Sequence, residues 1–218
     1  MNVEGGYFMN SGVLYLMAKR AYERTKSAPS ETAPNQDDAL TALLFSAATL
    51  EAFIMELAHH AEVGVRLSNK NPSPVSTLAR VLDEAESSRG SVRLKYLMAK
   101  AILSGKSYDI GSMPYQDFEL LFTIRDAIVH HKPEKITQEP HKIVKALATR
   151  KLCEREKPHV KSSWLSKITT RAVARWACNV VRDMVASIGE HFPKDADTTL
   201  NPFIIVMAMN IKHFDGVE

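Results

Sequence analysis

Residues 121–135 read LFTIRDAIVHHKPEK, the end of a helix-like stretch that carries an arginine, an aspartate and two histidines within seven positions. These side-chain types suit work on a phosphodiester. A histidine titrates near neutrality and can take a proton from a ribose 2′-hydroxyl or return one to a leaving oxygen. An arginine fork stabilises the extra negative charge on phosphorus in the transition state. The neighbouring 2′-hydroxyl is the nucleophile, so such a reaction needs neither a metal nor a covalent enzyme intermediate. It leaves a 2′,3′-cyclic phosphate and a 5′-hydroxyl end.

Helical geometry sets the roles. Asp126 and His130 are four apart and share a face, so the aspartate is placed to orient the His130 ring and favour its protonated form. Arg125 and His130 are five apart and point about 140° away from each other at ~100° per residue. One helix therefore does not present both on one face, although the arginine is long enough to reach round. His130 also falls in the last turn, where the helix dipole favours an imidazolium. His131 is placed to donate to a phosphate beside His130, and Lys132 to bind the scissile or a neighbouring phosphate. Spacing alone leaves a second reading open, in which Arg125 is a surface ion-pair partner and the histidines only cap the helix.

The elements that must position these groups are helices almost throughout. A first helix is expected over about Ser11 to Lys26, before the Pro/Ser loop SAPSETAPNQ. A second begins at Asp37 or Asp38, where acidic residues suit the positive end of the dipole, and runs to about Gly64. It is apolar nearly all round, as a helix in the middle of a bundle would be, with Thr41, Ser46, Thr49, Glu51 and Glu56 as its polar members. Shorter helices are expected at Val75 to Glu86 and Ser91 to Leu103. Pro114 suits the first turn of the helix that carries Arg125 and His130, which must stop before Pro133. Another helix is expected near Lys142 to Leu152, and a long one from Ser163 to His191, closed by Pro193. The fold class is all-α: an up-and-down helical bundle with additional helices and long connections, forming one domain over residues 1–218. The proline-punctuated 132–163 segment is a candidate insertion, and the apolar 198–218 tail must pack on the bundle or on a partner chain.

Composition narrows the class. The chain has 218 residues, 45% of them apolar and 24% charged, which fits one sizeable globular domain. Its two cysteines, Cys153 and Cys178, make no metal-like spacing and no disulfide framework. The stretch MNVEGGYFMN has no basic start followed by an apolar run, and no uninterrupted run of 18 apolar residues occurs. A cytoplasmic protein without a membrane span is expected. Gly-rich phosphate loops, GxSxG, HExxH and paired CxxC motifs are absent. The doublets His59–His60 and His130–His131 point about 100° apart on a helix, so neither chelates a metal by itself. No metal and no cofactor are expected.

Charge is uneven. Between Lys132 and Arg182 there are eight Lys and five Arg against four Glu, and the remainder of the chain is net acidic. A segment this basic suits a polyanion such as RNA, or is simply a solvated surface. Lys167, Arg171, Arg175 and Arg182 fall within about 80° of one another on one continuous helix and would make a stripe that tracks a phosphate backbone, or a solvated face. Glu51, in the most apolar helix, needs a partner if buried, and Arg125 is the candidate. Trp164, Trp176 and the Phe203 cluster read as core or dimer contacts rather than base-stacking platforms.

The segment IRDAIVHH resembles the signature of the HEPN superfamily: an arginine, a polar residue, about three variable positions, then a histidine. Arg125, Asp126 and His130 occupy those places in order, with aspartate where asparagine is commoner. The apolar SAATLEAFIMEL also resembles the second bundle helix of many bacterial HEPN proteins, and the two elements together cover about Asp37 to His131. The resemblance implies a helical bundle that pairs as a homodimer, with two Arg-x4-His motifs meeting across a cleft as a metal-independent endoribonuclease for single-stranded RNA. Such proteins occur as toxins, in phage defence and in RNA processing, so a cognate antitoxin or nucleotidyltransferase is an expected partner. The family also holds members that do not cleave RNA and act as binding or scaffold modules, and that alternative stays open.

Overall fold

The computed structural model describes residues 9–34, 36–67, 74–130, 141–154, 163–192 and 210–218. Among them are eight α-helices and no strand, so the all-α expectation holds. The helices are α1 (Ser11–Arg24), α2 (Asp37–Leu67), α3 (Pro74–Ser87), α4 (Val92–Ser104), α5 (Tyr115–Val129), α6 (Lys142–Thr149), α7 (Trp164–Ile168) and α8 (Arg171–Gly189). A single 3₁₀ turn, Thr25–Ser27, closes α1.

The single helix expected over Ser163 to His191 is instead two, α7 and α8, broken at Thr169–Thr170. The hydroxyls cause the break. Thr169 Oγ1 donates to the Ser166 carbonyl, and Thr170 Oγ1 accepts from the Val173 N–H as the cap of α8 while donating to the Leu152 carbonyl. Adjacent β-branched hydroxyl residues offer the backbone local alternatives to the helical ladder, and here they win.

The chain divides into two compact units, each built from three separate stretches. The first comprises Met1–Leu14, Ala48–Asp109 and Val185–Phe214; the second comprises Tyr15–Ala47, Ile110–Met184 and Asp215–Glu218.

In the first unit the C-terminal part of α2 supplies the buried Leu50, Phe53, Ile54 and Leu57. Phe53 meets Phe214 edge-on, ring centroids 5.6 Å apart, and the buried Tyr96 of α4 donates its hydroxyl to the Leu50 carbonyl. The α3–α4 turn needs Gly90. Its N–H reaches the Ala85 carbonyl at 2.6 Å, and a Cβ there would lie 2.8 Å from that same oxygen. Lys95, with its side chain only 6% exposed, pairs across this turn with Glu86. Glu56 finds its partner at the start of α1: its carboxylate accepts from the Asn10 and Ser11 N–H groups at 2.6 and 2.9 Å and from the Ser11 hydroxyl. A carboxylate at a helix N-terminus satisfies orphan donors and complements the dipole.

The second unit holds α5 to α7 and most of α8. Along α5, Tyr115, Phe118 and Phe122 form a ladder of rings at 5.4 and 4.9 Å, with Leu121 and Ile124 buried beside them. The α8 residues Ala172, Val173, Ala177, Val180, Val181 and Met184 are buried, and Ser46 Oγ lies 3.9 Å from Cys178 Sγ. Trp164 and Trp176 are both buried, as core residues should be; Phe203 lies outside the described residues.

The Asp37–Val63 portion of α2 is, on average, long and apolar enough to cross a bilayer, although it contains no unbroken 18-residue apolar run. Half of its apolar window is buried inside the protein, and core helices share this composition.

Candidate functional site

Helix α5 carries the Arg-Asp-His cluster at its C-terminal end. Its apolar ladder faces the core, which leaves Arg125 and Asp126 half-buried and Val129 and His130 exposed. His130 is the C-cap: its backbone leaves helical geometry at φ −106, ψ 29, and its N–H still reaches the Asp126 carbonyl at 2.9 Å. The motif therefore sits at a helix end, as the spacing and Pro133 require.

The side chains are arranged differently from the sequence reading. Asp126 Oδ1 accepts from Arg125 Nη1 at 2.9 Å, so the carboxylate holds the guanidinium. Asp126 meets His130 through its backbone carbonyl, and the exposed His130 ring makes no hydrogen bond or ion pair among the described residues. The Arg125 guanidinium also lies over the Phe122 ring, 5.8 Å from its centroid. Adjacent residues on a helix do not share a face, but the long arginine folds back, and a fork over an aromatic face gains a cation–π contribution. A guanidinium held by Asp126 and Phe122 and an exposed imidazole thus share the end of one helix.

The far end of α5 is held by Asp117. Its Oδ1 accepts from Arg150 Nε and its Oδ2 from Trp176 Nε1, both at 2.8 Å. Arg150 is the C-cap residue of α6, and its Nη2 also reaches Gln116 Oε1 at 3.4 Å. One carboxylate thereby ties the start of α5 to the end of α6 and to α8. Sequence reasoning missed this anchor, since 33 and 59 positions separate Asp117 from its partners. The one available signal was an acidic residue in the first turn of an otherwise apolar helix face.

Other expected site residues fall as follows. His131 and Lys132 lie outside the described residues. Glu51 is half-buried in α2 and belongs to the first unit, whereas Arg125 belongs to the second. The basic stripe is interrupted: Lys167 is on α7, and Arg171, Arg175 and Arg182 are on α8 beyond the Thr169–Thr170 break. Arg175 Nη2 and Arg171 Nη2 both approach Glu31, at 2.7 and 3.5 Å, and Arg182 Nε pairs with Asp183 at 2.7 Å. These half-exposed pairs are weak, so a phosphate would compete for the same guanidinium groups. Among the described residues no three His, Cys, Asp or Glu side chains gather as a metal would require. Both cysteines are free and buried, and burial pushes each thiol up to about 11, which keeps it protonated.

No protein family, no curated protein and no solved structure matches this chain.

Proposed function

We propose that the chain is a HEPN-type, metal-independent endoribonuclease acting on single-stranded RNA through a composite site in a homodimer. The observation that carries this reading is the end of α5: a guanidinium fixed by Asp126 and Phe122, and an exposed imidazole at the C-cap five residues on. His130 exchanges protons with the 2′-hydroxyl and the leaving oxygen, and Arg125 neutralises charge on phosphorus. Asp126 acts as a positioning residue for Arg125. Because residues five apart on a helix point about 140° away from each other, the reaction draws on the same motif of a second copy. Lys132 and His131, next in sequence, add phosphate contacts, and Lys167, Arg171, Arg175 and Arg182 extend the basic surface. A toxin or phage-defence setting, with a cognate antitoxin or nucleotidyltransferase, fits this chemistry.

The same observation favours a second reading. The Arg125 guanidinium already has a carboxylate partner and the His130 ring has no hydrogen-bond partner among the described residues, as in a silent module that binds a protein or nucleic acid. Purified protein assayed on single-stranded RNA in excess EDTA, beside Arg125→Ala and His130→Ala, separates the two. Cleavage that falls at least 100-fold in both variants supports the nuclease; equal rates in all three proteins overturn it.

A further inference from the structure

The segment Asp215–Val217, which forms neither helix nor strand, contacts residues of α1 and α8 in the second unit. Asn179 reads its backbone: the side-chain carbonyl accepts from the Val217 N–H at 3.0 Å, and the side-chain amide donates to the Val217 carbonyl at 3.1 Å. A carboxamide paired with both backbone groups of one residue recognises an extended chain in one register. Two positions earlier, the buried Tyr15 hydroxyl donates to the Asp215 carbonyl at 2.7 Å, and Lys19 Nζ pairs with the Asp215 carboxylate at 2.5 Å. Burial and the nearby Cys178 and Asp215 hold the Tyr15 hydroxyl above its usual range, so it stays a donor. Between them, a Cβ on Gly216 would fall 2.4 Å from Arg182 Nη1 and 2.8 Å from Asn179 Oδ1. Arginine can swing away, but the Asn179 carboxamide is fixed by its two bonds to Val217.

Each contact selects something different: an acid opposite Lys19, no side chain at the next position, and a residue with a free N–H after it. That combination is a recognition pattern, and nothing in it requires the ligand to be covalently attached. We propose that Tyr15, Lys19, Asn179 and Arg182 form a peptide-recognition surface for extended Asp-Gly-x segments, x being any residue but proline. Asp215–Val217 fills it in cis, and the partner it fits is a chain presenting the same sequence. The proposal is independent of the nuclease reading.

The test uses the full chain. Gly216→Val ejects the resident segment and leaves the contacting side chains intact. A fluorescently labelled peptide with the sequence of residues 212–218, KHFDGVE, is then titrated by polarisation. It binds the Gly216→Val chain at least tenfold more tightly than it binds the unmutated chain, where the attached segment competes at an effective concentration on the order of mM. Adding Asn179→Ala weakens binding at least tenfold, and a peptide carrying Asp→Asn binds several-fold more weakly. Equal affinity for the Gly216→Val and unmutated chains, or indifference to Asn179→Ala, overturns the proposal. Amide exchange supplies a readout that does not need the ejected form: Asn179→Ala alone speeds exchange of the Val217 N–H at least tenfold while helicity is retained. Unchanged exchange overturns the assigned contact.

Discussion

Replacing Asp117 with asparagine tests how the motif-bearing helix is held. The carboxylate serves two donors at once, Arg150 Nε and Trp176 Nε1, and the Asp117 and Arg150 side chains are only 18% and 23% exposed. Asparagine offers one acceptor and one amide donor, so one of the two N–H groups must face another N–H. Losing a charge-assisted bond costs about 1.5–3 kcal/mol, and leaving a buried donor unmatched about 1–3 kcal/mol. Arg150 keeps the Ala146 carbonyl and Gln116, which offsets part of this. The net expectation is a loss of about 2–3 kcal/mol, or about 4–12 °C in Tm for a chain of this size. Trp176→Phe removes the neutral donor and also part of a buried ring, and costs about 2–3 kcal/mol. In the double variant the buried indole N–H is gone, so the Asp117→Asn cost is smaller by about 1 kcal/mol than in the unmutated background. Thermal and urea melts followed by far-UV circular dichroism measure all three. An Asp117→Asn protein within 2 °C of the unmutated chain, or strictly additive costs, would refute the clamp.

Three further outcomes follow from packing. Thr170→Ala removes the cap of α8 and its bond to the Leu152 carbonyl, lowering stability by about 1–2 kcal/mol; a melt indistinguishable from the unmutated chain would contradict the assigned break. Cys153 and Cys178, buried and held protonated, react with a thiol-specific disulfide reagent at pH 8 at least 100-fold more slowly in the folded chain than in denaturant; comparable rates would mean that the sites open readily. Burial pushes His60 below the ordinary histidine range, with His59 adding to the shift and Glu56 opposing it. The unfolded chain therefore binds the proton more readily. The His60 contribution is intact above about pH 6.5 and is lost as pH falls through the lowered value. His60→Gln flattens Tm against pH between 7.5 and 5; an unchanged slope would place the acid sensitivity elsewhere.

The helices were legible because their causes are local. Asp37 opens α2, Ser91 accepts from the Leu94 N–H to cap α4, and Gly105 closes α4 with φ 75, each signalled by residue type within a few positions. The division of the last long helix was not: the local bonds of Thr169 and Thr170 compete with the helical ladder, and the bond that adds to them reaches Leu152, 18 positions away in sequence. The same limit applies to the site. The motif and its helix-end position could be read directly. The preference of Asp126 for Arg125 over the His130 ring depends on how the guanidinium settles over Phe122, which helical angles do not encode. Likewise the stripe of arginines assumed a continuous helix and ignored Glu31, which approaches Arg171 and Arg175 from a segment some 140 residues earlier. Long-range carboxylate partners, for Asp117 as for Glu31, were what the one-dimensional reading lacked.

The identity of the cleavage products distinguishes a metal-independent ribonuclease from a silent module. Single-stranded RNA is incubated with the protein in excess EDTA, and the product termini are read by mass spectrometry, beside DNA of the same sequence. A HEPN-type nuclease yields 2′,3′-cyclic phosphate and 5′-hydroxyl ends, leaves the DNA intact, and loses at least 100-fold in rate with His130→Ala. Products with 5′-phosphates, cleavage of the DNA, or full activity in the His130→Ala protein would contradict that reading.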